Sequence, residues 1–177
     1  CFCTSRRAPR HLLPFPLSPR LTKQSSSFRA RPLMQGDALP DFPIYDASGD
    51  RRYLQEAKGR ILLIDIWATW CGPCVAAMPH LESLHQQFKN HRFELISLNV
   101  EPERSAEVKR FMNEKELSFP LYFDRGKARQ KLMINLYPTL ILVNEQGNID
   151  SIYNGTLGLA GLKGDIQRLL KVDEPPR

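Results

Sequence analysis

A chain of 177 residues with 42% hydrophobic and 25% charged side chains has ordinary globular usage, enough for one domain with its own core, which excludes a wholly disordered or membrane-embedded chain. Its net charge of +6 belongs to one end: seven of the 25 Lys and Arg fall in residues 1–36, which hold no acid, leaving 18 against all 19 Asp and Glu. A nearly neutral body excludes nucleic acid as a partner, because phosphate binding needs a clustered positive face.

Residues 1–36 are rich in Pro, Ser and Arg without a hydrophobic period, so they cannot recover the entropy of ordering and read as a disordered tail. Three readings of the start at Cys1 stand side by side: an acylated Cys1 left by signal-peptide removal, tethering the protein to a membrane; a transit-peptide remnant; or a start placed upstream of Met34. Residues 37–173 form the expected domain, and 174–177 a short disordered end.

Phe42 to Asp46, the turn signal Ala47-Ser48-Gly49-Asp50 and Arg51 to Leu54 predict a hairpin. Ile61-Leu62-Leu63-Ile64-Asp65-Ile66-Trp67 is a continuous apolar run of strand length, the pattern of a central strand covered on both faces. Met78, Leu81, Leu84 and Phe88 recur at helical steps, predicting a helix from Cys74 to about Phe88. Phe93 to Asn99 reads as a strand, Ala106 to about Glu116 as a helix with Val108, Phe111 and Met112 inward, and Phe119 to Phe123 as a short strand.

The longest apolar stretch, Leu132 to Val143, is broken by Asn135 and Pro138 and falls short of the roughly 18 residues of a membrane span. Leu140 to Asn144 and Ile149 to Tyr153 flank Glu145-Gln146-Gly147-Asn148 as an antiparallel hairpin, and Leu162, Ile166, Leu169 and Leu170 mark a closing helix. Alternating strands and helices closed in this way predict an α/β fold, a mixed sheet with helices on both faces.

The four cysteines are Cys1, Cys3, Cys71 and Cys74. They are too sparse for a disulfide scaffold, and no second pair stands at zinc-ligand spacing, so Cys71-Gly72-Pro73-Cys74 reads as a redox pair needing no metal or other cofactor. Cysteine attacks as thiolate. Cys71 follows a buried strand and opens a helix, where free N–H groups and the positive end of the helix dipole favour negative charge. Lowering a thiol pKa from about 8.5 to about 7 raises the thiolate fraction at pH 7 from roughly 3% to roughly half. Pro73 suits the first helical turn and Gly72 permits close approach of a partner backbone. Cys71 is the expected attacking residue and Cys74, shielded by the helix, the resolving one. Trp67 and Trp70 flank the loop as candidates for an apolar docking surface, with a purely core role equally open for Trp67.

The run from Ile64 to Cys74 resembles the active-site strand and loop of thioredoxins. Pro79 resembles the proline that kinks the active-site helix of that family, and Tyr137-Pro138-Thr139 its cis-proline loop. The resemblance implies that Trp70, Gly72, Pro73, Tyr137, Pro138 and Thr139 contact substrate. The chain is most similar to the ResA/TlpA-like branch, exported proteins that reduce disulfides, often in cytochrome c maturation. Asn99 to Pro138 spans 39 positions, longer than in compact thioredoxins, leaving room for a βα insertion; the amino-terminal hairpin and Ala68-Thr69-Trp70 agree. This implies a monomeric reductase of protein disulfides, fed electrons by another thiol protein, in the periplasm or tethered to a membrane, with cytoplasm and organelle still open.

Three positions depart from that branch. Ala77 stands where Glu is common, Gly72 where ResA has Glu, and Asp65 where many members have Asn. These loosen the link to cytochrome c maturation and leave disulfide reduction intact. Asp65, matching the buried aspartate of ordinary thioredoxins, sits in an apolar run where desolvation raises its pKa toward the proton-transfer range, and is expected to handle the proton of Cys74.

Plainer readings apply elsewhere. His80 and His85 lie on different helix faces and read as solvent-facing. Cys1 and Cys3 have nothing to depress their pKa, and the charges from Arg104 to Glu116 read as the solvated side of a helix. Two alternatives remain: a thiol peroxidase, against which the P-x-x-x-T-x-x-C motif is absent, and a redox-inert binding module, against which both cysteines are intact.

Overall fold

The computed structural model describes residues 31–172. The expectations for residues 1–30, including Cys1 and Cys3, and for 173–177 lie outside the described residues. From Gly36 onward the chain is already bound to the body: its N–H donates to the Ile149 carbonyl at 2.8 Å, and the Ile149 N–H donates to the Asp37 carbonyl at 2.8 Å.

Seven strands form one mixed sheet in the order β2-β1-β5-β4-β3-β6-β7. They are β1 (Pro43–Tyr45), β2 (Arg51–Tyr53), β3 (Ile61–Trp67), β4 (Phe93–Asn99), β5 (Leu121–Phe123), β6 (Thr139–Val143) and β7 (Ile149–Asn154). The parallel core is β3-β4-β5, with β6 antiparallel to β3 and β1 antiparallel to β5. All seven residues of β3 are buried, which is why its sequence runs apolar without alternation.

The side chains of β3 nonetheless divide by parity. Ile61, Leu63 and Trp67 join a core with Met78, Leu81, Leu84 and Phe88 of helix α1 (Gly72–Phe88), Val108 and Met112 of α2 (Ser105–Glu114), and Leu162 and Ile166 of α4 (Leu159–Leu170). Leu62, Ile64 and Ile66 face a second core with Leu39, Phe42 and Leu54 from the amino-terminal segment, and Ala128 of α3 (Lys127–Lys131). The expected βα insertion is α2 and β5, and the amino-terminal hairpin docks on it through Tyr45 and Phe123. Two differences have local causes. Helix α1 begins at Gly72 rather than Cys74 because Pro73 fits its first turn. Helix α3, unread in the sequence, carries one buried residue, Ala128, and starts because the Asp124 carboxylate accepts the Lys127 and Ala128 N–H groups at 2.7 and 2.9 Å.

Candidate active site

Cys71 is the N-cap of α1, in extended conformation, and its Sγ accepts the Cys74 N–H at 3.2 Å. This is one of the N–H groups that a helix leaves unpaired at its start, so it becomes a charge-assisted hydrogen bond when the sulfur is a thiolate. The loop is held behind the sulfur as well: the Cys71 N–H donates to the Ala68 carbonyl and the Val75 N–H to the Cys71 carbonyl, both at 3.1 Å. The two sulfurs are joined at 2.06 Å, with Cα atoms 5.3 Å apart, as the two-residue spacing allows. Cys71 keeps 6% exposure against 2% for Cys74, and both are buried in the disulfide form.

Around the sulfurs, Gly72 and Pro73 are exposed. Gly72 has no left-handed φ, and a Cβ there would meet nothing within 4 Å, so the fold does not demand glycine. Trp70 is 66% exposed and stands against half-buried Tyr137, which precedes Pro138 through a cis peptide bond. The Pro138 carbonyl accepts the Gly155 N–H at 2.8 Å, fixing that loop to the end of β7.

The proposed site residues do not all converge. Thr139 is buried, its hydroxyl donates to the Leu136 carbonyl at 2.6 Å, and its side chain lines a cavity of about 250 Å³ with Ile141 and Ile152, whereas Leu140 and Leu142 share the core of the cysteines. Thr139 shapes the loop from the opposite face. Trp67 is fully buried, its indole N–H donates to Ser97 Oγ at 2.6 Å and its ring lies 5.8 Å from Phe111; it is core and offers no docking surface. His85, expected in solvent, is half-buried with its ring edge-on to Phe119, because the segment leading into β5 packs over that turn of α1; burial holds its pKa below the ordinary value.

Asp65 lies on β3 with the parity of Leu63 and Trp67, hence on the face of α1 and the cysteines. It is 2% exposed, and burial pushes its carboxyl up to about 7, placing it to exchange a proton near neutrality. The sequence reading missed Glu101, buried at 4% and bonded to Thr69 two residues ahead of Cys71. The signal lies in the strand register, which the sequence does not print: β3 and β4 are parallel with Trp67 opposite Asn99, so two residues further Thr69 comes to face Glu101.

A family profile described as Redoxin matches residues 34–165. The thiol-disulfide oxidoreductase ResA of Halalkalibacterium halodurans is 35% identical over 137 residues, covering 76% of this chain and 77% of its own. The thioredoxin-like protein YneN of Bacillus subtilis is 30% identical over 143 residues, covering 80% and 81%. Among solved structures, a thiol:disulfide interchange protein from Bacteroides sp. superposes with a TM-score of 0.69 at 20% identity, over 80% of this chain and 93% of that one.

Proposed function

The chain belongs to the Redoxin family and is a thiol-disulfide oxidoreductase of thioredoxin fold, and on that premise we propose that it works as a reductant through Cys71. The Cys71 thiolate attacks a target disulfide, one target sulfur leaves and takes a proton, and a mixed disulfide remains. Cys74, its proton passed to Asp65, attacks Cys71; the second target thiol is released and the Cys71–Cys74 disulfide closes. Two electrons and two protons have moved to the target, and a donor dithiol restores the pair. The observation that carries this reading is the Cys74 N–H on Cys71 Sγ at a helix start, next in the chain to an exposed Trp70 that contacts Tyr137 of the cis-proline loop.

Direction is a matter of potential. Thioredoxin and the oxidant DsbA differ by about 150 mV, about 7 kcal/mol for two electrons. Equilibration against glutathione is expected to give a value near thioredoxin; a value near DsbA reverses the direction. Insulin reduction tests the activity, and its absence would favour a redox-inert binding module. Protein disulfides and thiol proteins are the partners, and exposed Trp70, Gly72 and Pro73 with half-buried Tyr137 form the surface that meets them, while Pro138, itself buried, shapes the loop behind Tyr137. We place the work outside the cytoplasm, supported by the resemblance to the exported ResA-like branch. No helix among the described residues is long and apolar enough to cross a membrane.

A further inference from the structure

Three acids are buried among the described residues: Asp65, Glu101 and Asp124. Asp124 starts α3 and Asp65 lies on the cysteines' face of the sheet, which leaves Glu101 without a task. Its carboxylate accepts the Thr69 N–H at 2.5 Å and the Thr69 hydroxyl at 2.9 Å, and pairs with Arg104 at 3.0 Å. The grip is itself held: the Glu101 N–H donates to Asn99 Oδ1 at 2.7 Å, the Asn99 amide reaches back to Glu101 Oε2 at 3.4 Å, and the Val100 N–H donates to the Trp67 carbonyl at 3.1 Å. Arg104 also reaches Thr69 Oγ1 at 3.4 Å.

These bonds tie the end of β4 to the three residues, Ala68 to Trp70, that carry the chain from Trp67 to Cys71. The Cys71 N–H is fixed to Ala68, so anchoring Thr69 leaves the turn little freedom, and Trp70 and Cys71 stand where Thr69 places them. Arg104 offsets the carboxylate, so a negative charge behind the loop does not oppose thiolate formation at Cys71.

We propose that Glu101 is a positioning residue for disulfide exchange, holding Thr69 so that Trp70 and the Cys71 sulfur keep their place at the start of α1. This rests on the reading of Cys71 as the nucleophile. Displacing a reacting group by about 1 Å costs up to about a hundredfold in rate, whereas substrate affinity, set by the exposed surface, changes less.

The test compares Glu101→Ala with Glu101→Gln in the full chain. Gln keeps an acceptor oxygen for the Thr69 N–H and drops the charge; Ala drops both. Glu101→Ala is expected to lower kcat for insulin reduction about ten-fold with KM within about twofold, and Glu101→Gln to restore kcat to within about threefold. Equal impairment in both variants, or wild-type kcat in folded Glu101→Ala, overturns the proposal. Should Glu101→Ala not fold, Glu101→Asp, which keeps the charge and shortens the reach, takes its place with the same expected loss. Alkylation of reduced Cys71 by iodoacetamide across pH judges Glu101 without any protein substrate. A profile displaced in the Ala variant and restored by Gln supports the role, and superimposed profiles refute it. A wild type that leaves insulin oxidised strikes the reductant reading instead, and the alkylation profiles still decide on Glu101.

Discussion

The ring of Trp70 stands edge-on to that of Tyr137, centroids 5.7 Å apart and planes at 82°, so the cysteine loop and the cis-proline loop meet through an aromatic contact. Such a pair contributes about 1 kcal/mol, and most of Trp70 faces solvent, so Trp70→Ala is expected to cost no more than about 1 kcal/mol of stability in urea. Its effect on turnover is larger: kcat/KM for protein disulfides falls about ten-fold, as for loss of an interface anchor, while reduction of a small aromatic disulfide stays near wild type. Equal losses on both substrates would show that Trp70 supports the loop rather than the partner.

Asp65 makes stability depend on pH. Its carboxyl is about 7 in the fold and about 3.9 in the unfolded chain, so the folded state holds its proton more tightly. Its contribution is fully present below about pH 4, falls as pH rises toward 7 and is gone above, a loss of at most about 4 kcal/mol. Asparagine does not titrate. The stability of Asp65→Asn relative to wild type therefore rises by about 2–4 kcal/mol between pH 4 and pH 8 in paired urea titrations. A pH-independent difference would place the carboxyl back in the ordinary range.

Whether a feature could be read from the sequence depended on how local its cause is. The run from Ile61 to Trp67 announces a central strand because burial on both faces acts on every residue of it, and Asp65 stands out against that background. The same uniformity hid the role of Trp67, since a strand buried on both faces does not say where its last side chain goes. Helix α3 stayed unread because Lys127 to Lys131 has no apolar period; it is made by Asp124, an acid outside it. Glu101 was unread because its partner lies 32 positions away and only the pairing of β3 with β4 brings them together. His85 was misplaced for a like reason, Phe119 arriving from a distant segment.

Cys74→Ser removes the resolving thiol and stops the cycle at the mixed disulfide. Incubated reduced with oxidised insulin, the variant is expected to form a covalent adduct through Cys71 that mass spectrometry detects and dithiothreitol dissolves. Cys71→Ser forms none, since Cys74 is 2% exposed and cannot reach a protein disulfide. Adducts through Cys74 would exchange the two roles.

Asp65→Asn also removes the acceptor for the Cys74 proton. Release of product from the preformed mixed disulfide should slow about ten-fold or more between pH 6 and pH 8, the scale of a lost general base, while the first attack by Cys71 keeps its rate. Stopped-flow single turnovers separate the two steps, and an unchanged release rate would remove Asp65 from the mechanism.

Gly72 separates what the fold needs from what a partner needs. Its backbone angles suit any residue and a Cβ meets open space, so Gly72→Ala adds no clash and restricts the unfolded chain, which is expected to stabilise the oxidised protein by about 0.5 kcal/mol. A glycine that the fold could replace at a gain, between two cysteines at an exposed helix start, points to the approach of another chain. The added methyl stands where a substrate backbone would lie, so kcat/KM for insulin should drop several-fold while a small disulfide, which needs no such approach, reacts as before. Stability, insulin reduction and small-disulfide reduction measured on one preparation decide the matter: a gain in the first with no loss in the second would mean that substrate does not close on Gly72.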